Sequence, residues 1–379
     1  MSRIDDLIAE YCPDGVEFKR LGDIVRIKNG KDHKSLGDGE FPVYGSGGIM
    51  RYADTYAYNK PSVLIPRKGS LGNLFFVDVP FWTVDTIFYT EINEAQVCPK
   101  YLYYFLTTVG LGEMNQAGGV PSQTQSVLNE LNIPIPCPDN PKKSLEIQAE
   151  IARILDAFTE LTAELTAELT AELTARKKQY NYYRGRLLSF EEGDVEWEVL
   201  GALAENLDSM RKPITSGLRE PGDIPYYGAS GIVDYVKDYI FDCDLLLVSE
   251  DGANLLARNT PVAFSISGKS WVNNHAHVLK FKTYAERKYV EYYLNSIDLT
   301  PYISGAAQPK LNKKSLESIR IPNPSSEDKK RIVEILDKFD ALTGSISDGL
   351  PREIELRQKQ YEHYRNLLLS FPKSEKVEV

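Results

Sequence analysis

One helical motif occurs twice in this chain, and this repetition constrains the fold more than any other feature. Residues 176–190 read RKKQYNYYRGRLLSF, and residues 357–371 read RQKQYEHYRNLLLSF. The two copies are displaced by 181 positions, and the same displacement carries ILDAF at 154–158 onto ILDKF at 335–339. A displacement of this length is too long for a solenoid repeat and indicates an internal duplication of a whole domain.

The first copy of the motif is preceded by a tetrapeptide repeat, Thr-Ala-Glu-Leu, which is written three times between residues 162 and 173. Ala, Glu and Leu are strong helix formers, and leucines four residues apart form a row along one helical face. The second half carries apolar residues at the positions displaced by 181, although the tetrapeptide itself is not repeated there. We therefore expect two helices to pack as a coiled coil through Leu161, Leu165, Leu169, Leu173, Leu342, Ile346, Leu350 and Ile354. A solvated amphipathic linker is the alternative. Gly344, Gly349 and Pro351 predict that the second helix kinks or restarts near Leu350.

The segments before each helix also correspond to each other. FPVYGSGGI (41–49) matches IPYYGASGI (224–232), and PKYLYYFLTT (99–108) matches RKYVEYYLNS (287–296). Short strands, turns and helices are mixed in both segments, so the pattern predicts an α+β class. The predicted organisation is two similar domains, 1–143 and 191–324, that alternate with helical segments at 144–190 and 325–379.

Composition restricts the function. A chain of 379 residues exceeds what one hydrophobic core usually serves. Its net charge is −10, and acidic residues outnumber basic ones in every segment, so composition alone argues against nucleic-acid binding. The acidic N-terminus does not resemble a signal peptide, no apolar stretch reaches membrane length, and the four scattered cysteines fit reduced thiols. These features predict a cytoplasmic protein without a membrane partner.

No stretch supplies a catalytic set. Ser267-Gly268-Lys269-Ser270 resembles the end of a phosphate-binding loop, but its leading glycine is replaced by Ala263 and strand-like residues follow, which favours a hairpin turn. His275 and His277 share one face of a predicted strand, yet no third metal ligand has suitable spacing. We therefore expect no catalysis, no metal and no cofactor in this chain.

Polar and basic residues in predicted turns are better candidates, because Arg and Lys contact guanine edges or phosphates, Asn and Gln fit adenine, and a carboxylate accepts from cytosine. A solvated loop residue is the alternative for any one of them. Glu250 and Asp251 stand where the first domain has Arg67 and Lys68, so the two surfaces are expected to differ in charge. The candidates for DNA contact are Lys28, Lys31, Lys34, Tyr44, Ser46, Arg67, Lys68, Ser70, Asn73, Gln123, Gln125, Arg211, Lys212, Tyr227, Ser230, Glu250, Asn254, Arg258, Lys269, Gln308, Lys310 and Lys313.

Two variable domains, each ending in a proline-rich IPxP segment and followed by a helix that closes in RxKQYxxYRxxLLSF, resemble the specificity subunit of type I restriction–modification enzymes. The resemblance covers the whole chain and includes the Thr-Ala-Glu-Leu repeats. It implies two target-recognition domains separated by an antiparallel two-helix coiled coil, each reading one half of a bipartite, asymmetric site in double-stranded DNA. It also implies two modification (methyltransferase) subunits, which hold S-adenosylmethionine and methylate adenine, and motor-nuclease subunits as partners.

Two other functions compete with this one. A self-sufficient nuclease or methyltransferase would need motifs that the sequence lacks. A helical scaffold that binds only proteins would need the paired helices but not two different loop surfaces. The duplicated architecture and the terminal motifs both favour the specificity subunit.

Overall fold

In the computed structural model, the described residues are 10, 16–114, 121–191, 193–305, 308–344 and 349–371. The chain divides into two units, one made of residues 1–168 with 354–379 and the other of residues 169–353. Each unit therefore combines one mixed domain with parts of both helical segments. The predicted Ile346 lies outside the described residues.

The described part of the first domain contains strands in three sheets and three short helices. The strands are β1 (Glu17–Arg20), β2 (Val25–Asn29), β3 (Phe41–Gly45), β4 (Gly48–Ala53), β5 (Ser62–Pro66), β6 (Phe75–Val77), β7 (Trp82–Thr83), β8 (Ile87–Ile92) and β9 (Asn132–Ile135). The helices are α1 (Leu21–Ile24), α2 (Pro99–Leu106) and α3 (Gln125–Asn129). The sheets have the orders β1-β9, β2-β8-β5-β6 and β4-β3-β7, in which β3 and β7 pair in parallel and the other neighbours are antiparallel.

A continuous apolar run forms the centre of this domain. All five residues of β5, SVLIP, are buried between β8 and β6, as expected for an apolar strand with neighbours on both sides. Helix α2 begins with Pro99 at its first turn, where a missing N–H costs nothing, and packs Tyr101 and Leu102 into the core at 0% exposure. The hydroxyl of Tyr101 donates to the Pro134 carbonyl at 2.8 Å. The core thus connects the sheet, the helix and the proline-rich segment that leads to the long helix.

The second domain repeats this arrangement. Its strands are β10 (Glu196–Val199), β11 (Glu205–Asn206), β12 (Pro221–Gly228), β13 (Gly231–Val236), β14 (Phe241–Asp242), β15 (Leu245–Ser249), β16 (Ala263–Ile266), β17 (Lys269–Val272), β18 (Ala276–Lys280) and β19 (Arg320–Asn323). They form sheets of order β10-β19, β11-β18-β15-β16 and β13-β12-β17-β14. The parallel pair β12 and β17 matches β3 and β7. Gly268, at φ 75°, lies in the connection between β16 and β17, but these strands belong to different sheets, so the predicted hairpin at Ser267–Ser270 is wrong.

The remaining helices of the described residues begin with the long helix that follows the first domain. They are α4 (Pro141–Leu188), α5 (Leu200–Leu203), α6 (Asn254–Ala257), α7 (Tyr284–Ser296), α8 (Lys313–Glu317), α9 (Ser326–Gly344) and α10 (Leu350–Leu368). Helix α4 contains the repeats and runs 48 residues without a break. In the second half, α9 ends at Gly344 and α10 begins at Leu350, where the sequence predicted a kink or restart. The α+β class and the internal duplication are confirmed.

Aromatic contacts between the helices are reciprocal in the two units. In the first unit, the ring of Phe158 stacks on Tyr364 with centroids 5.8 Å apart, and in the second, Phe339 stacks on Tyr183 at 5.7 Å. The displacement of 181 residues converts one pair into the other with the two helices exchanged. Thr159 Oγ1 lies 3.0 Å from the Tyr361 hydroxyl, whereas the preceding residue, Phe158, contacts Tyr364. Residue numbers therefore decrease along α10 as they increase along α4. The helices in this unit are therefore antiparallel.

The leucine row is buried less evenly than the sequence predicted. Leu161 keeps 51% of its surface exposed, and its counterpart Leu342 keeps 37%. Leu165, Leu169, Leu173, Leu350 and Ile354 are half-buried. The prediction of a row buried along its whole length is therefore wrong at Leu161 and Leu342.

Helical geometry explains these two exposed leucines. A helix turns about 100° per residue, so each step of four residues moves the row about 40° around the axis. Phe158 lies about 60° from Leu161, between the directions of Leu165 and Leu169. A straight contact line thus passes through Phe158, Leu165 and Leu169 and leaves Leu161 to one side. An aromatic residue outside the repeat takes its place.

A tyrosine–aspartate contact holds each long helix to its own domain. The Tyr104 hydroxyl on α2 donates to Asp156 Oδ1 at 2.8 Å, and the Tyr292 hydroxyl on α7 donates to Asp337 Oδ1 at 2.7 Å. Burial and the neighbouring carboxylates raise the pKa of both phenols well above the ordinary value. Both tyrosines therefore remain protonated donors at neutral pH.

We expect Phe158→Ala to lower the free energy of unfolding of the first unit by about 2 kcal/mol, because it removes a half-buried stacked ring. Leu161→Ala should change it by less than about 0.5 kcal/mol, since that side chain is half exposed. Denaturant unfolding followed by circular dichroism measures both values.

The second unit provides the matched pair Phe339→Ala and Leu342→Ala, for which the same inequality is expected. Equal losses for Phe158→Ala and Leu161→Ala would contradict the contact line through the phenylalanine.

Candidate nucleic-acid interface

Three loops converge at one edge of the first domain. They are the turn after β3 (46–47), the turn after β5 (67–73) and the segment before α3 (121–124). The Gly69 N–H donates to the Pro121 carbonyl at 2.9 Å, and Lys68 forms a β-bridge with Ser122. Asn73 Nδ2 donates to the Ser46 carbonyl at 3.5 Å. The structure thus brings together residues that are up to 76 positions apart in the sequence.

Several predicted contact residues in this cluster have their side chains at the surface. Lys68, Ser70 and Asn73 are exposed. Arg67 is half-buried, with its guanidinium 5.8 Å from the centroid of the Phe88 ring. This turn therefore combines cationic and hydrogen-bonding groups that face outward.

The prediction of a DNA contact through Gln123 needs correction. Gln123 is only 2% exposed, and its Nε2 donates to the Pro66 carbonyl at 2.6 Å. Its backbone N–H also donates to the Arg67 carbonyl at 3.0 Å. Gln123 therefore holds the third loop against the second, and its neighbours present the surface.

The basic run that follows β2 flanks this cluster. Lys31 and Lys34 are exposed, while Lys28 is half-buried with its Nζ 3.6 Å from Glu91. Gln125 Nε2 donates to Asn29 Oδ1 at 3.3 Å, which brings the end of β2 next to α3. The lysines and the loop cluster therefore lie on neighbouring segments of one domain.

Equivalent lysines in the two domains are held in the same way. The Trp82 indole N–H donates to the Lys31 carbonyl at 3.1 Å, and the Trp271 indole N–H donates to the Lys212 carbonyl at 2.6 Å. Lys31 and Lys212 are 181 positions apart, and both are exposed. The duplication has thus preserved a positioned cation in each domain.

The predicted tyrosines are mainly packing residues. Tyr44 is half-buried, with ring centroids 5.8 Å from Phe75 and 6.4 Å from Phe81, and burial raises the pKa of its phenol. Tyr227 is also half-buried, 6.2 Å from Phe264. These rings support the turns after β3 and β12.

The second domain brings the corresponding loops together. Backbone contacts join the residues after β15 (250–254) to residues 308–311, and the Ser249 hydroxyl donates to the Ala229 carbonyl in the turn after β12 (229–230). Gly252 N–H donates to the Pro309 carbonyl at 3.2 Å, and Asp251 forms a β-bridge with Lys310. The architecture of the cluster is therefore common to both domains.

A buried ionic network lies beneath this second cluster. Arg211 Nη1 donates to Glu250 Oε2 at 2.6 Å and to the Ala276 carbonyl at 2.8 Å. The side chains of Arg211 and Glu250 are only 13% and 11% exposed. The prediction that they face DNA is therefore corrected, and both residues have an internal role. Lys310 Nζ, 3.1 Å from Glu250 Oε1, is half exposed and reaches the surface.

Histidine and aspartate complete the network. His277, at 0% exposure, places Nδ1 2.6 Å from Asp208 Oδ2 and Nε2 2.7 Å from the Leu311 carbonyl oxygen. Burial alone raises the pKa of Asp208, but the hydrogen bond and charge of His277, together with Arg211, hold it below its ordinary value. The pKa of Glu250 is also lowered, because Arg211, His277 and Lys310 outweigh the effect of burial.

Two further candidates hold local structure. Asn254 exchanges hydrogen bonds with the backbone of Thr260, both at 3.0 Å. Arg258, in the left-handed region at φ 54°, donates Nη2 to the Ile297 carbonyl at 2.8 Å beyond α7. Both side chains are half-buried, and their contact with DNA stays a prediction.

The remaining candidates lie at or near the surface of the second domain. Ser230, Lys269, Gln308 and Lys313 are exposed. Lys269 Nζ lies 4.8 Å from the Tyr239 ring centroid, and Lys313 Nζ lies 3.6 Å from Glu317. Contact of these residues with DNA stays a prediction.

Sequence reasoning missed the importance of His277 and Asp208. The sequence placed His275 and His277 on one strand face, but only the folded chain brings Asp208 and Leu311 to His277. His275 Nδ1 lies instead 2.9 Å from Asp251 Oδ2. Among the described residues, no His, Cys, Asp or Glu cluster could hold a metal ion. In the same part of the chain, no helix is long and apolar enough to span a membrane.

Two segments of the chain match one family model, described as the type I restriction modification DNA specificity domain. They are residues 13–175 and 194–356, which are again displaced by 181 positions.

Known proteins resemble the chain over most of its length. The specificity subunit of the type I restriction enzyme EcoR124I/EcoR124II from Escherichia coli is 41% identical over 316 residues, which cover 76% of this chain and 74% of the relative. The specificity subunit of the type I restriction enzyme EcoprrI, also from Escherichia coli, is 36% identical over 297 residues, which cover 76% of this chain and 73% of the relative. A solved specificity subunit from M. genitalium has the same fold, with a TM-score of 0.53, 17% identity and coverage of 94% and 96%.

We expect Asp208→Asn to destabilise the second unit by about 3 kcal/mol at neutral pH, because it removes one of the two buried carboxylates that face His277 and Arg211. A carboxylate with a lowered folded pKa stabilises the fold above its unfolded pKa, and this contribution is lost as the pH falls through the folded value. The difference between wild type and Asp208→Asn should therefore shrink below about pH 4. Urea unfolding at pH 7 and pH 3 measures it.

Asp251→Asn is the matched control, since Asp251 contacts the half-exposed His275. A difference between wild type and Asp208→Asn that stays constant down to pH 3 would contradict the assigned network.

Proposed function

Because the chain belongs to the family of type I restriction–modification specificity subunits, we propose that each of its two domains reads one half of a bipartite, asymmetric DNA site through its three-loop cluster. As a member of this family, the chain is a DNA-recognition subunit and is not catalytic on its own. The resemblance inferred from the sequence is confirmed at the level of the family, and the alternative of a scaffold that binds only proteins is not supported.

The observation that carries this proposal is the contrast between a shared scaffold and different loop chemistry. Both clusters are joined by a glycine N–H bonded to a proline carbonyl, Gly69 to Pro121 and Gly252 to Pro309. The second residue after the central strand differs in charge, since Lys68 in the first domain corresponds to Asp251 in the second. Two readers built on one framework but carrying unlike side chains fit two unlike half-sites.

The features common to both domains suit the DNA backbone, which is the same at every site. Lys31 and Lys212 occupy matching positions, and their carbonyls are held by Trp82 and Trp271. Phosphate contacts position a protein on DNA, and base contacts supply specificity. We therefore assign the two lysines to phosphates, and Lys68, Asn73, Gln308 and Lys310 to base edges.

The partners follow from the family. We propose that two modification subunits, which supply S-adenosylmethionine and methylate adenine, and motor-nuclease subunits assemble with this chain in the cytoplasm. The chain itself is strongly acidic, with a net charge of −10. Basic surfaces on the partners would supply much of the remaining phosphate contact, because DNA affinity depends on neutralising phosphates.

The repeat would set the distance between the two half-sites. One Thr-Ala-Glu-Leu unit adds four residues to the continuous helix α4, which is roughly 6 Å of length and about 40° of rotation. One base pair of B-DNA advances about 3.4 Å. A repeat unit therefore changes the separation on the scale of base pairs.

The lysine assignment predicts that Lys31→Ala and Lys212→Ala each weaken DNA binding without altering the recognised sequence, because a phosphate carries no sequence information. The slope of log affinity against log salt concentration should fall by about one per lysine removed. By contrast, Lys68→Ala with Asn73→Ala should relax the first half-site only. Binding selection from a random duplex library, with the partner subunits present, distinguishes these outcomes. A changed motif in Lys31→Ala would overturn the division between phosphate and base contacts.

Removing residues 166–169, one complete repeat unit, should shorten the preferred spacer and leave both half-sites unchanged. Reading the methylated motif by sequencing cellular DNA measures spacer and half-sites together. Replacing residues 166–169 by Ala-Ala-Glu-Leu keeps the length and is the control. An unaltered spacer after the deletion would refute the role of the repeat.

A further inference from the structure

His277, the buried histidine beneath the second loop cluster, has an oxygen atom within hydrogen-bond distance of each ring nitrogen. His277 faces acceptors on both sides, since Asp208 offers a carboxylate and Leu311 a carbonyl. Because a carbonyl oxygen can only accept, His277 Nε2 donates to Leu311. Glu250 Oε2 lies 3.8 Å from Nδ1, on the side of the ring that faces Asp208.

The contact with Leu311 connects this histidine directly to a predicted base-reading loop. The Leu311 N–H donates to the Glu250 carbonyl at 2.8 Å, and its carbonyl accepts from His277 at 2.7 Å. Lys310 precedes it and exchanges two backbone hydrogen bonds with Ser304, both at 2.8 Å. Hydrogen bonds to its N–H and its carbonyl therefore hold Leu311 in place. They also fix the direction in which the side chain of Lys310 leaves the backbone.

The first domain secures the equivalent loop by different chemistry. Strand pairing places Phe88 opposite Ile65, as it places His277 opposite Val248, so Phe88 is the counterpart of the histidine. Gln123 corresponds to Leu311, because each N–H donates to the carbonyl at the first position after the central strand. In the first domain, the loop is held by a hydrogen bond that Gln123 Nε2 donates to the Pro66 carbonyl. A histidine at this position is thus specific to the second domain.

We propose that His277 is a positioning residue for base recognition: through its bond to the Leu311 carbonyl it orients the loop that presents Gln308 and Lys310 to the second half-site. This inference rests on the proposed function, since it explains how one of the two readers obtains its specificity. The histidine does not touch DNA. It selects bases through the backbone of the loop.

The two hydrogen bonds of His277 can be separated by substitution. In His277→Gln, the longer side chain carries its amide near the position of Nε2 and retains a donor for Leu311. In His277→Asn, the amide lies near the position of Nδ1 and retains a donor for Asp208. We expect His277→Asn to lose roughly tenfold in discrimination at the second half-site, which is the scale of one poorly read base pair. His277→Gln should keep the wild-type preference.

The measurement is the affinity of the assembled complex for a panel of duplexes carrying single base changes in either half-site. The first half-site is the internal reference and should be unaffected in all variants. His275→Gln, two residues away and bonded to Asp251 at the surface, is the matched control and should read both halves normally. A general loss of folding would lower affinity for every duplex, so selective loss in one half separates positioning from stability.

Unchanged discrimination in folded His277→Asn would overturn the inference. If this variant does not fold, Lys310→Met replaces it, because that side chain is half exposed and Glu250 keeps its hydrogen bond from Arg211. Lys310→Met should relax the same half-site, and an unchanged preference would equally overturn the inference. A wild-type complex without a two-part motif would instead refute the proposed function.

Discussion

The structure depends on the antiparallel pairing of helices that lie far apart in the sequence. Phe158 and Tyr364 are separated by more than 200 residues, yet their rings stack within one unit, and Phe339 and Tyr183 do the same in the other. Neither domain is completed by its own sequence neighbours alone. Each needs the beginning of one helical segment and the end of the other. The closing motif RxKQYxxYRxxLLSF is repeated because each copy has the same partner surface to satisfy.

A second constraint is that loops of unlike sequence must occupy the same place on a shared framework. The backbone contacts between loops are conserved in kind between the two domains, while the side chains beneath them are not. The first domain uses an amide–carbonyl bond and an arginine over an aromatic ring, and the second uses a network of five charged groups. Burying such a network costs desolvation, so each member must be paired. The second reader is therefore the more sensitive of the two to single substitutions.

Much of the fold could be predicted from the sequence, because periodicity and internal repetition are local signals. The duplication, the long helix and its interrupted counterpart followed from the positions of leucine, glycine and proline. The burial of the leucine row was overestimated at Leu161. Residues spaced four apart drift around a helix, and the sequence does not reveal where the contact line passes. The loop residues were harder still. Gln123, Arg211 and Glu250 look like surface groups in the sequence, and only the tertiary contacts that bury them show their internal role.

The reciprocity of the two aromatic stacks has an evolutionary consequence. Phe158 and Tyr183 both lie in the first half of the chain, so an ancestor with one domain and one helix already contained both kinds of ring. Two identical copies of such an ancestor are able to form the same two stacks between them, each giving a phenylalanine and receiving a tyrosine. Fusion of two genes would then join the copies without creating any new contact. In the present chain the two halves differ in sequence while both stacks are retained.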